Sequence, residues 1–113
     1  MHELSLTQSL IEAAVEHAKR AKAERILSIT VEIGALSGVI ADAVLFAYDV
    51  CSRDTLAEGS RLEIRHIAGR GHCLDCQREA EITTLTHVCP HCSSLALRIV
   101  QGEEMKFTEM EID

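Results

Sequence analysis

Cys73-Leu74-Asp75-Cys76 and Cys89-Pro90-His91-Cys92 form two C-x2-C pairs with twelve residues between them. Two residues between cysteines let both sulfurs of a tight turn face one point. Two such turns surround an ion with four thiolates, the donor set of a closed, structural Zn2+ site. No other feature constrains the chain as strongly, because it predicts that residues 69–95 fold round a metal rather than round an apolar core. Four sulfurs leave no coordination position for substrate or water, so the spacing predicts architecture and not catalysis.

The remaining residues must supply the core. The chain has 113 residues, 47% of them hydrophobic, but only two Phe, one Tyr and no Trp. The core is therefore aliphatic, and the length suits one compact unit or a small core with a metal-stapled module. The formal charge is −7, and four thiolates with one Zn2+ would take it to about −9. An acidic chain with no basic stripe and no aromatic platform is a poor nucleic-acid binder, which argues against a common use of zinc ribbons. The start, Met1-His2-Glu3-Leu4-Ser5, has neither a basic nor an apolar leader region. No run approaches the ~20 apolar residues of a membrane span. The expectation is a cytoplasmic protein, where paired cysteines ligate metal rather than form disulfides.

Periodicity predicts an α+β fold: a small mixed sheet with two helices, plus an inserted zinc-ribbon-like module. Residues 5–22 predict a helix with Leu6, Leu10, Ala13, Ala14 and His17 on one face and Ser5 or Thr7 as its cap. Residues 26–36 predict a strand in which Leu27, Ile29, Val31 and Ile33 alternate with polar residues. Residues 41–53 predict a second helix with Val44, Leu45, Tyr48 and Cys51 on its apolar side, and residues 61–67 a second strand. Gly69-Arg70-Gly71 breaks the pattern before the first cysteine pair, and residues 80–88 suit a short hairpin. Leu95, Leu97 and Ile99, then Met105, Phe107 and Met110, read as strand with Gly102 bending it. The expected division is an α/β domain of residues 1–68 with 96–113 and a zinc module of residues 69–95.

The N-terminus offers a second donor set. A residue as bulky as His2 leaves Met1 in place. The Met1 amine, the deprotonated amide nitrogen of His2 and its imidazole would then form linked chelate rings, with the Glu3 amide or an incoming side chain as a fourth donor. Planar nitrogen ligation suits Ni2+ or Cu2+. A histidine at position 2 is, in the simpler reading, only a residue on a frayed end.

Met1-His2-Glu3, Ser9-Leu10, Ile33-Gly34-Ala35-Leu36-Ser37-Gly38-Val39, Ala57-Glu58-Gly59, the two C-x2-C pairs and Gln101-Gly102-Glu103-Glu104-Met105 occur in one order along the chain. That ordered set, from residue 1 to about 112, resembles the HypA/HybF family of nickel metallochaperones for [NiFe] hydrogenase maturation. The resemblance implies His2 as primary nickel ligand with the Met1 amine and nearby backbone nitrogens, Glu3 as a neighbouring ligand or a group that supports the ligands, and Cys73, Cys76, Cys89 and Cys92 on structural zinc. It implies a HypB-type GTPase and the [NiFe] hydrogenase large subunit as partners, allows a homodimer, and implies no enzymatic activity. In the family pattern an acidic residue commonly follows Ser-Gly-Val. Here Ile40 stands there, and the nearest carboxylate is Asp42.

Simpler roles compete for the other singled-out residues. Cys51 reads as a small buried hydrophobe, His17 as a helix-face residue, His66 as a strand residue and Asp42 as a charge at a helix start. His72 and His91 adjoin cysteines and would replace a thiolate or orient one by a hydrogen bond. His17, His66, His72, His87 and His91 are the fallback nickel donors. Two rival functions remain: a zinc-ribbon interaction module without a second metal, and a thiol oxidoreductase, which lacks the expected βαβ context of a redox C-x2-C.

Overall fold

A computed structural model describes residues 2–84 and 88–113. The elements are α1 (His2–Arg20), β1 (Ile26–Gly34), α2 (Ala41–Cys51), β2 (Arg61–Ile67), β3 (Arg70–Cys73), β4 (Glu79–Glu81), β5 (Leu97–Gln101) and β6 (Met105–Ile112). The fold is α+β, as the periodicity and the cysteine spacing predict.

Helix α1 starts at His2, earlier than expected, so Ser5 and Thr7 are interior residues and neither caps it. Thr7 is fully buried and its hydroxyl donates to the Glu3 carbonyl oxygen at 2.6 Å, one turn back. The buried stripe runs Thr7, Leu10, Ile11, Ala14 and Ala18, in steps of one helical turn. Ala18, not His17, completes it, because a side chain without bulk lets the neighbouring layer approach. His17 is exposed and meets the edge of Phe107 at 6.4 Å. The helix ends on Lys22 at φ +60, with Lys22 and Ala23 amides donating to the Lys19 and Ala18 carbonyls. That is a Schellman end built on a lysine instead of glycine.

Strand β1 is the centre of a sheet ordered β2-β1-β6. Ser28 and Thr30 are buried along with Ile29, Val31 and Ile33, whereas Leu27 is half-buried. The simple in–out alternation therefore fails, because a central strand is covered on both faces. The Ile26 amide bonds to Leu56 and the Ala35 amide to Ile67, start beside start and end beside end, so β2 runs parallel to β1. The Asp113 amide bonds to Arg25 and the Gly34 amide to Glu104, so β6 runs antiparallel. The sheet is mixed, and the C-terminal strand returns to it.

Helix α2 crosses between β1 and β2 in sequence and packs against α1. Its buried residues are Val44, Ala47 and Tyr48. Leu45 is exposed and Cys51, in the last turn, only half-buried, contrary to the sequence expectation; Ala47 takes the inner face that Leu45 was expected to fill. The Tyr48 hydroxyl lies 2.5 Å from Ser60 Oγ, and burial pushes the phenol above its ordinary pKa.

A second, antiparallel sheet is ordered β4-β3-β5, with Gly71 opposite Ala80 on one side and Ile99 on the other. Arg70 and Gly71 thus lie inside a strand and do not end one. β4 pairs with β3 rather than forming a hairpin within 80–88, of which residues 85–87 lie outside the described residues. Gly102, at φ +96, turns β5 into β6. The turn also packs closely: a Cβ on Gly34 would stand 2.1 Å from the Gly102 carbonyl oxygen.

The chain forms two compact units. One comprises residues 1–32, 39–65 and 106–113, and the other residues 33–38 and 66–105. Among the described residues no helix is long and apolar enough to cross a membrane.

Candidate metal centre and family

The strand β3 ends on Cys73, and a tight turn follows. The Gln77 amide donates to the Cys73 carbonyl and the Cys73 amide to the Arg78 carbonyl, each at 3.0 Å. The second turn repeats the first: the Ser93 amide donates to Cys89 and the Cys89 amide to Ser94, each at 2.8 Å. In both turns the residue after the second cysteine is left-handed, Gln77 at φ +60 and Ser93 at φ +63. That reversal closes each turn, bringing the next carbonyl, of Arg78 or Ser94, back to the first cysteine's amide. Amides inside the turns donate to the first sulfurs. The Cys76 amide donates to Cys73 Sγ at 3.4 Å and the His91 amide to Cys89 Sγ at 3.3 Å.

The four sulfurs lie within 4.8 Å of one another. Cys73 and Cys92 Sγ are 3.6 Å apart, and Cys76 and Cys89 Sγ 3.7 Å. Sulfurs on a tetrahedron with a ~2.3 Å Zn–S bond are about 3.8 Å apart, whereas a disulfide is about 2.05 Å long. The donor set and its spacing fit zinc. Cys73 and Cys89 are buried with Leu36, Ile82 and Leu97, so a small apolar cluster backs the cage.

Electrostatics favours a cation here. The Cys76 amide is the largest influence on Cys73 and holds its thiol down at about 7, against the cost of burial. At Cys92 the Ser94 amide favours the thiolate. Desolvation and the sulfurs of Cys73, Cys89 and Cys76 outweigh it and push that thiol up to about 12. Four thiolates repel one another, and a divalent ion at their centre removes the conflict.

Several supports were not legible beforehand. Ser94 Oγ donates to the Asp75 carboxylate and ties one turn to the other. His72, in β3, lies 3.3 Å from Gln77 Oε1, and the Gln77 side-chain amide donates to the Leu74 carbonyl at 2.7 Å. His72 therefore braces the first turn through Gln77, and His91 serves through its backbone amide. Neither histidine belongs to the cluster of sulfurs. The only advance signal for these supports is the exact repeat of the C-x2-C spacing.

His2 is the first residue of α1, and Met1 and His87 lie outside the described residues. Glu3 Oε2 accepts the Ile40 amide at 3.4 Å. Ile40 is the N-cap residue of α2 and has no side-chain cap of its own, so the Glu3 carboxylate meets an N–H at the start of the second helix. Asp42 is exposed in the first turn of α2, His66 is exposed in β2 and Cys51 is a half-buried free thiol.

Residues 1–112 match a family described as hydrogenase/urease nickel incorporation, metallochaperone, hypA. The hydrogenase maturation factor HypA of Geobacter metallireducens is 43% identical over 113 residues, covering all of both chains. The counterpart in Rippkaea orientalis is also 43% identical, covering all of this chain and 96% of its own. The solution structure of the nickel metallochaperone HypA from Helicobacter pylori superposes with a TM-score of 0.69 at 29% identity, covering 97% of this chain and 96% of that one. A second HypA solution structure gives 0.75 at 31%, covering 99% and 96%. With the same fold along its length and a cysteine cage that fits zinc, the chain belongs to the HypA family of nickel metallochaperones for hydrogenase maturation, which are carriers and not enzymes.

Proposed function

We propose that this chain takes up Ni2+ at its N-terminus and hands it to the hydrogenase maturation machinery in the cytoplasm. The His2 imidazole and backbone nitrogen and the Met1 amine are the donors, with Glu3 beside them. Cys73, Cys76, Cys89 and Cys92 hold a zinc ion that shapes the segment 69–95. Residues 1–68 with 96–113 form the nickel-carrying part. The recipients are a HypB-type GTPase and, beyond it, the [NiFe] hydrogenase large subunit.

One observation carries the reading: the family match begins at residue 1, and α1 begins at His2. His2 opens α1, and the amide of a helix's first residue donates to no earlier turn, so coordination by the His2 nitrogen leaves the helical ladder intact. A nickel ion held there is bound from one side and is open to transfer. The cysteine cage, in contrast, uses a full shell of four donors and suits retention. The planar nitrogen set would bind Cu2+ more tightly than Ni2+, so selectivity rests on metal availability or on delivery by a partner.

His2→Ala tests the reading with metal analysis of untagged protein. Nickel binding is expected to fall by about two orders of magnitude, as losing a coordinating group or its support commonly does, while zinc content stays at one per chain. Nickel retained at native affinity in this variant would refute the terminal site and favour a zinc module with nickel bound elsewhere.

A further inference from the structure

Phe46 is one of three aromatic residues in the chain, yet it is 75% exposed. Leu45 and Val50 are exposed beside it on α2, while Val44, Ala47 and Tyr48 fill the inner face. Helix α2 thus carries apolar side chains on its outer as well as its inner face, and only the inner face is covered. Phe46 and Val50 are one turn apart and form a ridge. Asp42 and Asp49 flank that ridge on the same side, and α2 carries no basic residue in its last turn. Arg53, one turn on from Asp49, makes a solvent-exposed pair with it at 3.3 Å, and such a pair is weak enough to exchange for another cation.

We infer that this outward face of α2 docks an amphipathic, basic helical segment of a partner protein, with apolar side chains against Leu45, Phe46 and Val50 and Lys or Arg against Asp42 and Asp49. Phe46 and Val50 have the one-turn spacing by which a helix face is read, and Leu45 lies across the two aspartates from them. The charges select among occupants. A second copy would bring a second face with two aspartates and one arginine, a net like charge, to a chain that already carries −7. A basic segment turns the same carboxylates into attractive rim contacts and gains on-rate from the acidic field. The docking stands independently of the nickel ligands.

The probe is a synthetic helical peptide with leucines at three- and four-residue spacing flanked by lysines, and a control in which glutamate replaces every lysine. Zinc-loaded, isotope-labelled full chain is titrated with each. The lysine peptide is expected to shift amide resonances of residues 42–53, and the glutamate peptide is not. Phe46→Ser, a surface change that leaves the rest of the spectrum in place, is expected to weaken binding by about tenfold or more. Asp42→Lys with Asp49→Lys is expected to weaken the lysine peptide and admit the glutamate peptide. The inference is overturned if the lysine peptide does not bind, binds outside residues 42–53, binds no better than its control, or is indifferent to Phe46→Ser. It is equally overturned if sedimentation shows a dimer that Phe46→Ser dissolves, which would give this face to a second copy.

Discussion

Ser93 and Gln77 occupy left-handed backbone, a region where a side chain costs about 1–2 kcal/mol and glycine costs little. Each follows the second cysteine of its turn, where the reversal brings the next carbonyl back to the first cysteine's amide. Gln77 recovers part of that cost through its bond to Leu74, while Ser93 is exposed. Ser93→Gly is therefore expected to leave zinc-loaded stability unchanged or raise it by about 0.5 kcal/mol, and Ser93→Val to lower it by about 1–2 kcal/mol. Denaturant unfolding at fixed free zinc checks both, and an unaffected valine variant would contradict the strained turn. The cysteines of this site were legible because metal geometry dictates their spacing. The left-handed residues were not, because Gln and Ser carry no intrinsic signal for that conformation. The Glu3–Ile40 contact was hidden too, since it joins residues 37 positions apart through the packing of α1 on α2.

At the level of elements, the turn between β5 and β6 depends on backbone contact. Gly34 faces the Gly102 carbonyl, and a Cβ on Gly102 would stand 2.7 Å from Gly69 Cα. Gly34→Ala has no side chain to displace, only backbone, so a loss of about 3 kcal/mol is expected. Thermal unfolding of the zinc-loaded variant checks this, and an unchanged midpoint would contradict the close approach. The sequence marked Gly102 as a bend because it interrupts a strand pattern, but nothing local marks three glycines distant in sequence as neighbours. Elsewhere the boundaries of β2 follow from alternation alone, since Leu62 and Ile64 face inward between exposed charges. Alternation misjudged β1, where burial on both faces removes the pattern, and α2, where apolar residues on both faces make the inner side ambiguous.

At the scale of the whole molecule, zinc and the aliphatic core stabilise different residues. Metal binding to structural zinc sites contributes on the order of 10–16 kcal/mol in model peptides. The cluster behind the cage consists of Leu36, Ile82, Leu97 and two of the cysteines, too small to hold residues 66–105 alone. Chelation is expected to remove amide protection from residues 66–105 while α1 and α2 persist. With Cys92 pushed up to about 12, its proton must leave when zinc enters, so zinc affinity rises with pH and falls as pH drops. Cys73, held at about 7, adds to that fall as it protonates below neutrality. Hydrogen exchange before and after chelation, with zinc titrations between about pH 6 and 8, checks both. A pH-independent zinc affinity would contradict the thiolate cage.

The proposed terminal nickel site is open to a decisive test: nickel titration of the protein with its native start and with Gly-Ser placed before Met1. The extension turns the Met1 amine into a peptide nitrogen and moves His2 two residues inward, without touching the cysteine cage. A sharp loss of nickel affinity is expected, about tenfold or more, with zinc still at one per chain. Nickel bound by the extended protein as tightly as by the native one would contradict it.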